Sequence, residues 1–163
     1  MRLPAAFALA AILPLASCDS GTAPSSVPVT AGGKTFQCRL AITDEARERG
    51  LGGVTELAPD EGMIFVFTDS APRSFWMRDC LIGLDIAYID PMGFVTAVHT
   101  MPAEPLQAAD ESEVSYFSRL KRYPSMGAAQ FVLEVSPGTL GPLGVKRGSR
   151  IDFDRDALKK LAR

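Results

Sequence analysis

Few side chains in this sequence have reactive or ligating chemistry, and they are scattered. His99 and Met101 stand two apart on one face of a predicted strand and pair an imidazole with a thioether, donors suited to Cu(I). A soft site needs about three ligands, so Met77 and Met126 would have to converge on the pair. Methionines more commonly fill gaps in a core. His99 is the only histidine, and a lone strand histidine is more often structural than catalytic. Glu61, Asp79, Asp85 and Asp90 supply carboxylates. Two acids at the right separation can hydrolyse glycosides, but position along a chain does not set that separation. No Ser-His-Asp signature, glycine-rich phosphate loop or Cys-x-x-Cys motif is present. Arg49, Trp76 and Arg78 form the last group, cations and an aromatic that would suit a carboxylated or glycan-like partner.

Asp85 lies in LDIAYI, residues 84–89. On a strand Leu84, Ile86 and Tyr88 point to one side, and Asp85, Ala87 and Ile89 to the other. Both sides are otherwise apolar, so the strand is expected to be covered on both faces. A buried carboxylate without partners costs several kcal/mol. Asp85 is therefore expected to be a structural acid, held by an arginine fork or by loop N–H groups, with Arg49, Arg73, Arg78 and the Trp76 indole as available donors. An arginine partner would lock the sheet to the Arg49 helix.

The elements that carry these residues follow from local pattern. KTFQCRLAIT (34–43) alternates as a strand. DEARER reads as a short helix, with Thr43 as N-cap, acids in its first turn, arginines in its last and Gly50 closing it. GMIFVF (62–67) and PRSFWM (72–77) read as two strands, and DPMG (90–93) as the turn of a hairpin returning through 94–101. Residues 102–113 read as surface loop and 113–123 as a helical turn or two. AAQFVLEVSPG (128–138) alternates, with Phe131, Leu133 and Val135 inward and Gln130, Val132 and Glu134 outward. A short strand at GSRIDF and a terminal helix capped by Asp154 complete a mainly β chain with minor helices, expected as a compact β-sandwich or partly closed barrel.

The amino terminus sets the expected location. Residues 1–17 have one early charge, Arg2, and then an apolar run, as in a secretory leader. The run spans only roughly 22 Å as a helix, short of a ~30 Å hydrocarbon core. Leu15-Ala16-Ser17-Cys18 resembles the lipobox of bacterial lipoproteins. That implies lipidation of Cys18 and a stable membrane anchor, and Asp19 hints at the inner membrane. Residues 18–33, rich in Ser, Thr, Gly and Pro, read as the lipidated cysteine and a flexible tether with a reach of ~20 Å. Residues 34–163 are of a size for one domain. The whole chain carries a net charge of −2, and losing Arg2 with the leader makes it more negative, which does not favour nucleic acid. Cys38 and Cys80 would then lie in an oxidising compartment. They are either a disulfide, closing a loop of about 43 residues worth ~4 kcal/mol, or two buried thiols.

RERGL (47–51), DEGMIFVF (60–67), SFWMRDCLIGLDIAYID (74–90) and FVLEVSPG (131–138) occur together in an order that resembles the domain-of-unknown-function 192 family. The resemblance covers most of residues 36–153. It implies a compact, largely β single domain, often secreted or lipid-anchored, with no settled activity. This chain has Arg78-Asp79-Cys80 where the family usually reads like Lys-Asn-Thr, and it diverges over 104–125. HTM (99–101) also resembles the His-x-Met pair of periplasmic copper chaperones.

The reading that results is a non-catalytic, lipid-anchored, periplasm-facing envelope domain without a cofactor, which binds an envelope protein or glycan around Arg49, Trp76 and Arg78. The alternatives are a copper-handling protein using His99 and Met101, and a cell-wall glycan hydrolase using paired carboxylates.

Overall fold

A computed structural model of the chain describes residues 24–163. The leader, Cys18 and the first part of the expected tether lie outside the described residues. The end of that tether is a correction. Ser26–Ala31 forms strand β1, antiparallel to β2 (Lys34–Ala41). Val29 and Ala31 are fully buried, so two apolar side chains on one face outweigh the flexible composition. Gly32 and Gly33 make the turn at φ values of 56° and 81°, and a two-residue hairpin of this kind favours positive φ at both central positions. The domain thus begins near Ser26, not Lys34.

Helix α1 (Asp44–Arg49) forms as its caps dictate. The Thr43 side chain accepts from the Ala46 N–H, and Gly50, at φ 51°, closes the last turn onto the Ala46 carbonyl. A Cβ at Gly50 would sit 3.3 Å from the Phe65 ring, so this glycine also lets the helix end lie close against the sheet. The two strands expected over 62–77 are one, β3 (Glu61–Phe75), irregular between Val66 and Ala71 where its pairing with β6 shifts. Beyond it come β4 (Leu84–Ile89), β5 (Val95–Met101), α2 (Glu113–Arg119), β6 (Tyr123–Val135), β7 (Ile151–Asp152) and α3 (Arg155–Leu161).

The strands form one seven-stranded sheet in the order β5-β4-β6-β3-β2-β1-β7. It curls until its edges touch at one end. Phe94, at the foot of β5, bridges to Arg150 beside β7, and the Val95 N–H donates to the Ser149 carbonyl at 2.8 Å. The protein is a mainly β, partly closed barrel rather than a sandwich. Each of the seven strands gives the interior at least one buried apolar side chain, among them Val29, Phe36, Ile64, Ala87, Val95, Leu133 and Ile151. A second core lies on the outer face of β3, β4 and β6. There Phe65, Ile86, Tyr88 and Val132 pack with Leu51 and Leu57 from the segment after α1, and with Met77 and Cys80 from the β3–β4 connection.

β4 is buried at all six positions, as its apolar alternation requires. The alternation of β6 also holds, but its second face is not solvent-exposed. Val132 is fully buried and Glu134 is 4% exposed, because α1 and the β3–β4 connection cover that side.

Candidate functional site

The covering layer leaves a depression of about 290 Å³ over the outer face of the sheet. Its sides come from α1 (Arg47, Glu48, Arg49), the end of β3 with the residues after it (Phe75, Trp76, Arg78, Cys80), and Arg122 just before β6. Glu134 of β6 also lines it.

Two local devices shape the wall. After α1 the chain turns so that the Gly53 N–H donates to the Asp79 carbonyl at 2.9 Å, tying the helix to the β3–β4 connection. Asp79 itself has φ 56°, a left-handed conformation that aspartate and asparagine tolerate better than most residues. The Tyr116 hydroxyl accepts from the Asp79 N–H at 2.9 Å and donates to its Oδ1 at 3.2 Å, so α2 holds the strained residue in place.

An aromatic stack carries the arginines at the mouth. The Trp76 ring lies nearly parallel to Phe117, with centroids 5.6 Å apart. The Arg122 guanidinium lies over the Trp76 ring at 3.4 Å from its centroid, and Arg78 sits 5.0 Å from the centroid of Phe117. Arg78 is ion-paired with Glu48 and Asp79, at 3.2 and 3.3 Å. Arg47 pairs with Asp44 at 2.7 Å and donates to the Val66 carbonyl. Among the described residues, the guanidiniums of Arg49 and Arg122 have neither an ion pair nor a hydrogen-bond acceptor.

Glu134 lies at the floor. Its cross-strand neighbours are Met63 of β3 and Ile86 of β4, and among the described residues its carboxyl has no hydrogen-bond partner. Burial alone pushes it up to about 8, so at neutral pH it is mainly an uncharged acid. The Cys80 thiol, pushed up to about 12 by burial first and then by the charges of Glu134 and Asp79, is protonated and a poor nucleophile.

The family model for DUF192, described as an uncharacterized ACR, matches residues 27–153. The chain belongs to this family. Two solved structures resemble this DUF192 domain at 30% identity. One, a protein of unknown function from Novosphingobium aromaticivorans, superposes with a TM-score of 0.62 over 78% of this chain and 85% of its own. The other, titled a putative transcription regulator from Sinorhizobium meliloti, has a TM-score of 0.63 over 82% of this chain and 97% of its own. Among curated proteins, none matches.

The DUF192 fold brings Arg49 to the same depression as Trp76 and Arg78, which follow it in sequence by more than 25 positions. It separates the nominated acids. Glu61 pairs with Arg39 at 3.4 Å, Asp79 serves the Tyr116 latch, and Asp90 accepts from the Met92 and Phe94 N–H groups in its turn. Asp85 points into the barrel, 2% exposed. It meets no arginine and not the Trp76 indole. It accepts instead from the Thr100 hydroxyl at 2.8 Å and the Leu140 N–H at 2.9 Å. This acid therefore anchors the loop after β6 and not the Arg49 helix, because its face of β4 is interior and the helix is outside.

Cys38 and Cys80 are both buried free thiols. Cys38 packs in the barrel interior and Cys80 in the outer core, so the sheet separates them and the disulfide alternative is corrected. His99 uses Nε2 on the Pro124 carbonyl at 2.8 Å. Met101 and Met77 are buried in the outer core, whereas Met126 is 66% exposed. Glu134 and Arg122 were missed from sequence. The signal for Glu134 was the unbroken apolar setting of FVLEV, which fits a strand buried on both faces.

Proposed function

We propose that this chain is a membrane-tethered envelope domain that binds rather than catalyses, taking a small carboxylated or glycan-like ligand in the depression lined by Arg49, Trp76 and Arg78. The tether rests on the Leu15-Ala16-Ser17-Cys18 pattern and on Arg2 with its apolar run. The observation that carries the binding reading is the buried Glu134 carboxyl, which has no hydrogen-bond partner among the described residues and lines a depression whose rim carries the exposed guanidiniums of Arg49 and Arg122. Folded proteins normally satisfy buried polar groups internally, and a ligand site is where they are held open. Trp76 fits as a positioning residue, since its ring stacks with Phe117 and carries the Arg122 guanidinium.

Trp76→Ala should keep the fold and weaken capture of carboxylated envelope glycans by the full chain at least about tenfold, roughly 1.4 kcal/mol. Unchanged capture would remove the reading. Cys18→Ser should shift the protein from the membrane to the soluble fraction of cells, and no shift would remove the tether. One observation favours a hydrolase as second reading: an uncharged Glu134 in an apolar pocket resembles a general acid. The other carboxylates of the lining, Asp44 and Glu48, are ion-paired, and release of reducing ends from cell-wall fragments, lost in Glu134→Gln, would decide for it.

A further inference from the structure

The depression is polarised. Four arginines line it. Arg49 and Arg122 are exposed, Arg47 and Arg78 half-buried and Glu134 buried, which puts the cations towards the mouth and the acid at the floor, where it forms no ion pair or hydrogen bond with any described residue. A ligand that fills the space must present different chemistry at its two ends.

Resting on the binding reading above, we propose that Glu134 meets the ligand as a neutral carboxylic acid and selects a hydroxyl or carboxamide at the buried end. The pocket then takes a sugar acid, its carboxylate facing Arg49 and Arg122, in preference to a zwitterionic amino acid. A protonated carboxyl offers one O–H donor and acceptor lone pairs, and a hydroxyl or an N-acyl amide offers both in return. An ammonium would require Glu134 to ionise in its apolar setting, and each buried ion costs several kcal/mol of desolvation before pairing is counted. It would also have to pass the arginines. The volume of about 290 Å³ is at the small end for ligand sites and suits a single substituted ring.

The groups around Glu134 leave it as the one whose charge changes near pH 8. Arg47 and Arg49 of α1, Arg78 after β3 and Arg122 before β6 stay cationic. Asp44 is paired with Arg47 and Glu48 with Arg78. The thiol of Cys80 and the hydroxyl of Tyr88 on β4 are raised well above the range by burial. In the same cross-strand row, His99 lies beyond Ile86 and is engaged with Pro124, and Arg39 lies beyond Met63 and is paired with Glu61. Affinity should therefore hold below pH 8 and fall as the pH rises through it.

The test is calorimetric titration of the full chain and of Glu134→Gln with N-acetylmuramic acid, D-glucuronic acid, N-acetylglucosamine and glutamate, on both sides of pH 8. The sugar acids should bind the native protein. N-acetylglucosamine, which lacks a carboxylate, should bind about tenfold or more weaker, a difference of roughly 1.4 kcal/mol. Glu134→Gln, neutral at every pH, should show the same sugar-acid affinity on both sides of pH 8, without the fall seen in the native protein. Preference for glutamate, abolished in Glu134→Gln, would overturn the neutral-acid inference and leave carboxylate binding standing. Failure of all three carboxylates to bind would overturn both. A readout without ligand is the infrared spectrum: a protonated-carboxyl band present at neutral pH, absent in Glu134→Gln and lost above pH 8. Its absence in the native protein overturns the inference on its own.

Discussion

Replacing Glu134 by glutamine should make the protein more stable, and by an amount that depends on pH. Burial raises the folded-state carboxyl from the ordinary 4.5 to about 8. Between those values the folded chain keeps a proton that the unfolded chain has released. Stability then falls as pH rises through this window, since the folded state is the one binding more protons. The contribution is fully present below about 4.5 and lost once pH passes about 8. At ~1.4 kcal/mol per pKa unit, the shift corresponds to a loss on the order of 5 kcal/mol across the window. That is a large part of the stability of a domain this size. Glutamine keeps the shape and polarity of the neutral acid but cannot ionise. Urea denaturation of both proteins at a series of pH values would follow the difference between their unfolding free energies. That difference should be near zero at the acid end, grow steadily through neutrality and level off above pH 8. Subtracting the two curves removes the titration of every other group. A difference that stays constant with pH would refute the reasoning, because Glu134 would then carry the same charge in both states throughout.

Asp85→Ala should cost about 3 kcal/mol in the same denaturation, since it orphans the buried Leu140 N–H and removes two hydrogen bonds. An unchanged midpoint would show that the loop after β6 does not depend on it. Alkylation without prior reduction should leave Cys38 and Cys80 unmodified in the native fold and modify both after denaturation, as read by mass spectrometry. A Cys38–Cys80 peptide pair resisting alkylation would contradict their placement on opposite sides of the sheet. Tyr116→Phe should cost about 1–2 kcal/mol and speed amide exchange at Asp79, whose N–H would lose its acceptor. Unaltered exchange there would mean that the left-handed turn holds itself.

The parts legible from sequence were those fixed by local pattern. The α1 boundaries follow from Thr43, the charges at each end and Gly50, and all act within one or two helical turns. β4 announces burial on both faces because every position but Asp85 is small or apolar. What was not legible depends on which segments cover which face. Ser26–Ala31 has the composition of a linker and becomes a strand because β2 and β7 both pair with it. The strand pattern of β6 was read correctly, but an outward face looks solvent-exposed until one knows that α1 and the β3–β4 connection lie over it. Arg49, Trp76 and Arg78 were grouped by residue type. Arg122 escaped because its place depends on an indole 46 positions away in the chain.

Two acids on neighbouring strands make the distinction between architecture and function concrete. Asp85 pairs in register with Val135 and Ile86 with Glu134, so the carboxyls are one step apart along the ladder and point to opposite faces of the sheet. Inside the barrel, Asp85 has a hydroxyl and a loop N–H, and removing it would strip partners from a buried segment. Outside, Glu134 has neither, and its desolvation is uncompensated by any described residue. An apolar residue of similar size at that position would join Met63, Ile86 and Val132 without such a cost. The fold therefore gains nothing from the acid at 134, which sets it apart from Asp85 as the carboxyl whose removal should spare the architecture and report on binding.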